Sequence, residues 1–316
     1  MSKYLRPLTK EGGAADALKN DAAVYSPNPG MDIVTTKDTS IAGVHFFEND
    51  DPELIAERCL RINLSDLAAM GAEPVGYLLS LSLPITGIDV DSWVKKFATG
   101  LSSNQKFFRW DLWGGDTVST PGPLSVSVTA IGEVKRGQYL SRSGANVGDG
   151  IYVSGALGDA AMALDVIQGN LNTDKDAFFK KRFYKPFPRL KLGKNLVGVA
   201  SAALDISDGL MGDISHICNH SGVGAIIYCD KIPLSSAFVN ILNENKQYHS
   251  LSWSGGDDYE LLFTVPKENE KQLQNLPKCQ YHDIVKIGEI IEGDNAILLD
   301  GIGNKIELEK QGFQHF

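Results

Sequence analysis

Cysteine is scarce and unpatterned. Cys59, Cys218, Cys229 and Cys279 are the only four in 316 residues, and none stands in a CxxC spacing. A disulfide framework and a paired zinc knuckle are therefore not encoded, and a reducing compartment is the simpler expectation. His216 and His220 flank Cys218 at helical i, i+4 spacing, but the stretch reads as an ordinary helix following "SDGL". The chain also lacks any apolar run of about 18 residues and any signal-peptide-like N-terminus, which predicts a cytoplasmic protein without helical membrane spans. Positive charge is in deficit: 30 Lys and Arg against 39 Asp and Glu leave a net charge of −9. That balance argues against nucleic acid or anionic membranes as partners and leaves small molecules. The common phosphate cradles are missing as well. There is no GxxxxGK[ST], no GxGxxG between a strand and a helix, no GxSxG elbow, no HExxH and no HRD/DFG pair.

What is present is an ordinary globular composition of two-domain length. The first twenty or so residues, with Gly12 and Gly13, read as a mobile lead-in. "DIVTT" predicts a short strand over 32–36. "DPELIAERCLRINLSDLAAMG" predicts a helix with Asp51 as N-cap, Pro52 at its first position and Gly71 as its stop. "YLLSLSLP" and "LSVSVTAIGEV" alternate as strands around a second helix over about 89–108. Polar and glycine residues cluster near 136–148, where a domain boundary is expected. Strands and helices interleave on both sides of it, which predicts an α/β or α+β fold of two domains.

The unusual feature is aspartate beside glycine or a hydroxyl residue. It recurs at Asp21, Asp38, Asp66, Asp116, Asp205 with Asp208, and Asp257 with Asp258. Singly, each is a common cap or turn residue. Together they are a set of carboxylates at strand and helix ends, where like charges held close would take up protons. A hard divalent cation such as Mg²⁺ removes that penalty, and it prefers a few carboxylates completed by water and substrate phosphates.

The motifs "DAAV", "KDTSIAGVHF", "NLSDLAAMGAEP", "GGDT", "RSGANVGDGIYVSG", "PRL", "DISDGL", "SGVGA", "GGDDYELLF" and "GFQHF" run in one order from about residue 18 to the C-terminus. In this the chain resembles the thiamine-monophosphate kinases, of the superfamily that includes aminoimidazole ribonucleotide synthetase and selenophosphate synthetase. The resemblance implies phosphorylation of thiamine monophosphate to thiamine diphosphate by ATP, the last step of thiamine diphosphate biosynthesis, with several Mg²⁺ ions. It implies a homodimer built through an N-terminal ATP- and Mg-binding domain, taken as residues 1–140. A C-terminal α+β domain, residues 141–316, would complete the active site. Carried over position by position, it assigns Asp21, Thr36, Lys37, Asp38, Asp66, Asp116, Asp205 and Asp208 to metal, and Gly115, Asp116, Arg142 and Ser207 to ATP. His45, Asp257 and Phe313 fall where the family contacts thiamine monophosphate. No general base is assigned, because the acceptor phosphate is already ionised near neutral pH.

The chain departs from the family pattern in places. The usual Gly-Asp-Asp near the start is Lys19-Asn20-Asp21, a lysine stands before Asp38 where threonine is common, "GGED" is "GGDD", and Phe313 replaces Trp or Tyr. The alternatives are an aminoimidazole ribonucleotide synthetase-like ATP-dependent enzyme and a non-catalytic nucleotide- or metal-sensing module. Magnesium-dependent ATP turnover separates the enzymes from the module.

Overall fold

The computed structural model describes residues 2–276 and 284–308. The chain divides into two compact units, Met1–Leu67 with Ala72–Gly137, and Ala68–Gly71 with Gln138–Phe316.

The first unit is a four-stranded sheet in the order β1-β4-β2-β3, formed by β1 (Met31–Ile41), β2 (Glu73–Pro84), β3 (Asp111–Thr120) and β4 (Ser125–Lys135). β1 and β2 are antiparallel to β4, whereas β2 and β3 run parallel and are joined through a helix. The short helix α1 (Ser2–Leu5) precedes α2 (Pro52–Ala69) and α3 (Val90–Phe108). The expected cap is in place, Asp51 accepting from the Glu53 amide at 3.0 Å, and Asp89 caps α3 by accepting from the Ser92 amide at 3.3 Å. Val126, Val128, Leu79, Leu81 and Leu83 form the buried face of the sheet. The alternate residues Ile33, Leu78 and Val118 are 44%, 40% and 49% exposed, so the other face is uncovered in the single chain.

The lead-in is more engaged than its composition suggests. The Tyr4 hydroxyl donates to Asp91 at 2.7 Å, and Gln105 of α3 donates to the Leu8 carbonyl at 3.0 Å. These side chains tie it to α3, a contact that glycine content does not reveal. Asp16, Ala17 and Leu18 take positive φ angles of 40°, 55° and 58°, an unfavourable left-handed turn for L-residues just before Asp21.

The second unit carries a six-stranded sheet in the order β10-β7-β9-β5-β8-β6. Its strands are β5 (Gly150–Ser154), β6 (Ala202–Asp205), β7 (Gly224–Tyr228), β8 (Leu261–Val265), β9 (Ile284–Ile291) and β10 (Ala296–Leu299). Its longer helices are α4 (Asp159–Ile167), α5 (Asp176–Tyr184), α6 (Leu190–Leu196), α7 (Leu210–Ser221) and α8 (Ser236–Glu244). Both sheet faces are covered. Ile151, Val153, Leu204 and Leu262 enter one core with α7, while Tyr152, Ala203, Leu261 and Phe263 enter another with α6. Among the described residues no helix is long and apolar enough to cross a membrane.

Candidate active site

In the first unit, β1 presents Thr36 and Asp38 on one face because side chains alternate along a strand. Asp66, near the end of α2, meets them: the Thr36 hydroxyl donates to Asp66 Oδ2 at 2.6 Å. Burial, then the charge of Asp66 and a side-chain hydrogen bond with it, push the Asp38 carboxyl well above its ordinary range. This is a small, all-oxygen donor set of two carboxylates and a hydroxyl. It suits a hard cation whose other ligands are water and phosphate. Among the described residues no three His, Cys, Asp or Glu side chains converge as a complete metal cage.

Lys37 does not join this cluster. The alternation that turns Thr36 and Asp38 inward turns Lys37 to the exposed face, where its Nζ donates to Ser127 Oγ at 2.7 Å. Asp116 is also elsewhere. It pairs in register with Ser80, which pairs with Ser127 and through it with Thr39, whereas Asp38 stands in the neighbouring row with Val128, Leu79 and Gly115. Adjacent rows point to opposite faces, and β1 and β3 are the two edges of the sheet. Three strand spacings, about 14 Å, separate them. "WGGDT" lies in an edge strand with a bulge between Leu112 and Gly114. Gly115 is required there, since a Cβ would lie 1.7 Å from the Leu79 carbonyl oxygen. His45 follows β1, half-buried, with Nδ1 accepting from the Ile41 amide at 3.1 Å. Asp21 lies exposed beyond the left-handed turn.

In the second unit, β6 delivers Asp205, buried, to the start of the turn Ser207-Asp208-Gly209, which enters α7. Asp213 explains part of the aspartate crowding. Its Oδ2 accepts from the amides of Ser207, Asp208 and Gly209 at 3.0, 3.2 and 3.2 Å, so it shapes the turn from beneath. Burial and the charge of Asp208 push Asp213 up to about 7, against the three amides. Arg142 lies close enough to His216 to help burial lower that imidazole, while Asp208 acts in the opposite sense. Arg142, Asp208 and His216 therefore share one neighbourhood, and His216 was not among the sequence candidates. The Cys218 thiol is buried in the core, and His220 Nδ1 bonds the His216 carbonyl at 2.8 Å.

The segment Ser254–Glu260 lies along that turn. Asp257 donates its amide to the Ser207 carbonyl at 2.8 Å, and Tyr259 donates to the Ile206 carbonyl at 2.8 Å. Asp257 and Tyr259 hold positive φ angles of 71° and 51°. Left-handed backbone at such residues costs on the order of 1–3 kcal/mol each and persists only where surroundings impose it. Beside these residues sits a charge cluster of which only Asp258 stands out in the sequence: buried Glu260, Asp258, Asp159 and Arg189 with the partly buried Arg182. Asp258 accepts from the Gly158 amide at 2.7 Å, and burial raises it to about 8 against the pull of Arg182. Phe313, assigned from the sequence to substrate, lies outside the described residues.

Comparison with known proteins gives these sites a setting. Residues 19–134 match the N-terminal domain of AIR synthase related proteins and residues 146–300 their C-terminal domain. The thiamine-monophosphate kinase of Caulobacter vibrioides is 39% identical across 94% of this chain and 84% of its own length. That of Escherichia coli K12 is 37% identical across 95% and 91%. The crystal structure of the Stenotrophomonas maltophilia enzyme superposes with a TM-score of 0.81 at 39% identity, covering 89% of each chain. AaThiL, solved in complex with AMPPCP and TMP, superposes at 0.80 with 30% identity, covering 94% of this chain and 91% of its own. With both domains matched and identity of this order along nearly the whole length, the chain belongs to the thiamine-monophosphate kinase family of AIR synthase related proteins.

Proposed function

We propose that this chain transfers the γ-phosphoryl group of ATP to the phosphate of thiamine monophosphate, forming thiamine diphosphate and ADP. The carrying observation is the full-length likeness to thiamine-monophosphate kinases, one of them holding an ATP analogue together with TMP. An oxygen of the acceptor phosphate attacks the γ-phosphorus as the bond to the β-phosphate oxygen breaks. That oxygen is ionised near neutral pH, so the chain's task is positioning and charge neutralisation.

Each group then has a role. Asp38, Asp66 and the Thr36 hydroxyl hold Mg²⁺ in the first unit, and Asp205 and Asp208 do so in the second. Asp21 joins them from the lead-in. The backbone of Gly115 and the carboxylate of Asp116 serve ATP and its metal. Bound Mg²⁺ supplies the positive charge that lets phosphates and carboxylates share a site. Arg142 adds a permanent planar fork for phosphate oxygens, with Ser207 as a hydroxyl partner. His45, Asp257 and Phe313 take the thiamine portion, an acid and an aromatic ring suiting its cationic heterocycle. In this reading Lys37 contributes its fixed charge from the opposite face and is not a ligand through its side chain.

The reading includes a homodimer in the cytoplasm, formed through the first unit. Its uncovered sheet face bears Ile33, Leu78 and Val118, and both sheet edges are open within the chain. Pairing β3 of one protomer with β1 of its partner would set Asp116 of one chain on the strand beside Asp38 of the other. Mixing Asp38→Asn and Asp116→Asn chains tests this: activity in the mixture that neither variant has alone is expected, and an inactive mixture counts against composite sites. The reaction itself is tested by incubating the protein with Mg-ATP and thiamine monophosphate and separating the products. Thiamine diphosphate and ADP should appear in equal amounts and vanish on chelation. ADP without thiamine diphosphate would sink the proposal.

A further inference from the structure

The "PRL" motif has no role in the scheme above. Arg189, its arginine, precedes α6 and is buried. It grips Glu260 with both prongs: Nε and Nη2 each donate to a separate carboxylate oxygen at 2.6 Å. Arg182 Nη2 at 3.1 Å and Ser154 Oγ at 2.8 Å complete the ring of donors around that carboxylate. Glu260 in turn is stitched to the metal-side turn. Its carbonyl accepts from the Ile206 amide at 2.8 Å, next to the Tyr259–Ile206 and Asp257–Ser207 bonds. The two segments touch so closely that Gly256 admits no side chain, since a Cβ would sit 2.4 Å from the Ser207 carbonyl oxygen. Finally, the Tyr259 hydroxyl donates to Asp257 Oδ1 at 3.1 Å.

We infer that Arg189 and Tyr259 are positioning residues: Arg189, through Glu260, locks the 254–260 segment to the Ser207–Asp208 turn, and Tyr259 aims the Asp257 carboxylate. Asp257 and the turn are thereby one rigid piece rather than two independent loops. The inference rests on the proposed phosphoryl transfer for its kinetic consequence but not for its structural one. A guanidinium is needed because a bidentate grip fixes the orientation of the carboxylate, whereas an ammonium at the same place is a single swivelling charge.

Arg189→Lys keeps the charge and removes the fork. Amide exchange of residues 206–209 and 255–260 in the ligand-free protein should rise together by about tenfold or more, while the β5–β9 amides stay protected. In turnover, kcat should fall about tenfold with KM for ATP within about twofold, the pattern of lost alignment. Ile287→Val, in the core of β9, is the control for general destabilisation and should leave both readouts unchanged. Exchange in the two segments no faster than in Ile287→Val, or faster exchange with unaltered kcat, overturns the inference. If Arg189→Lys does not fold, Tyr259→Phe decides, since it removes a single hydroxyl. A rise of about 3–10-fold in KM for thiamine monophosphate is expected, and an unchanged value overturns the inference. A wild-type protein without kinase activity would refute the functional reading, and the exchange comparison would still test the lock.

Discussion

Two clusters handle crowded carboxylates in opposite ways. In the first, Asp38 meets Asp66 and a threonine hydroxyl, and the effects acting on Asp38 raise its pKa. In the second, Asp159, Asp258 and Glu260 are buried around two guanidiniums of the chain itself. Where acids are scaffold, the sequence supplies the countercharge and fixes it permanently. In the proposed function, the countercharge at Asp38 and Asp66 arrives with the Mg²⁺ of the substrate. Removing a carboxylate should therefore have opposite effects on stability in the two places.

The largest effect separates function from scaffold. Asp208→Asn and Asp38→Asn keep shape and lose charge, so kcat should drop about 10²-fold or more in each, by analogy with losing a preorganised electrostatic group. Steady-state kinetics on folded protein checks this, and near-normal turnover would reduce either residue to a turn or strand-end role. Next comes Glu260→Gln, which leaves the buried Arg189 and the partly buried Arg182 short of a partner. It should cost about 3–5 kcal/mol in denaturant unfolding, as breaking a buried pair does. A loss under about 1 kcal/mol would mean that the cluster is less coupled than its geometry implies.

A smaller effect has the reverse sign. Asp38 titrates above its ordinary value of 3.8 in the folded chain. The folded state then holds the proton more tightly than the unfolded state, and this contribution to stability falls as pH rises from about 4 through the raised pKa. Metal-free Asp38→Asn protein should therefore be the more stable near pH 8, by roughly 1.4 kcal/mol for each unit of the shift. The advantage should shrink as pH is lowered and disappear when Mg²⁺ is added. Thermal melts at several pH values with and without EDTA read this out, and a pH-independent difference would contradict it. The smallest effect concerns Phe313. Phe313→Ala should raise KM for thiamine monophosphate about 5–30-fold, equivalent to about 1–2 kcal/mol of ring contact, with KM for ATP little changed. Equal changes for both substrates, with a lower Tm, would place the ring in a core instead.

Local signals in the sequence carried much of the scaffold. Asp51, Pro52 and Gly71 mark the ends of α2 because capping and chain reversal are decided within a few residues. β1 runs over eleven residues where a short strand was expected. Its alternation, followed through Ile41, would have turned Lys37 away from Asp38. The sequence does not mark β3 as a strand, because its pairing with β2, not its own glycine-rich composition, makes it one. The Arg189–Glu260 grip joins residues 71 positions apart. Neither "PRL" nor "DDYE" carries a local mark of the other, so only the fold could connect them.

The register of β1 also bears on biogenesis. Met31–Ile41 pairs with Ser125–Lys135 and with no earlier strand. A ribosome adding about 5–20 residues each second reaches that partner roughly 5–20 s after β1 is made. For that interval a strand rich in Ile, Val and Thr waits without its ladder, open to pairing with another nascent chain. Lys37 and Asp38 stand at its centre, and charges there discourage in-register pairing with an identical strand, where like charges would meet. Lys37→Val should therefore reveal itself as a lower soluble yield on expression.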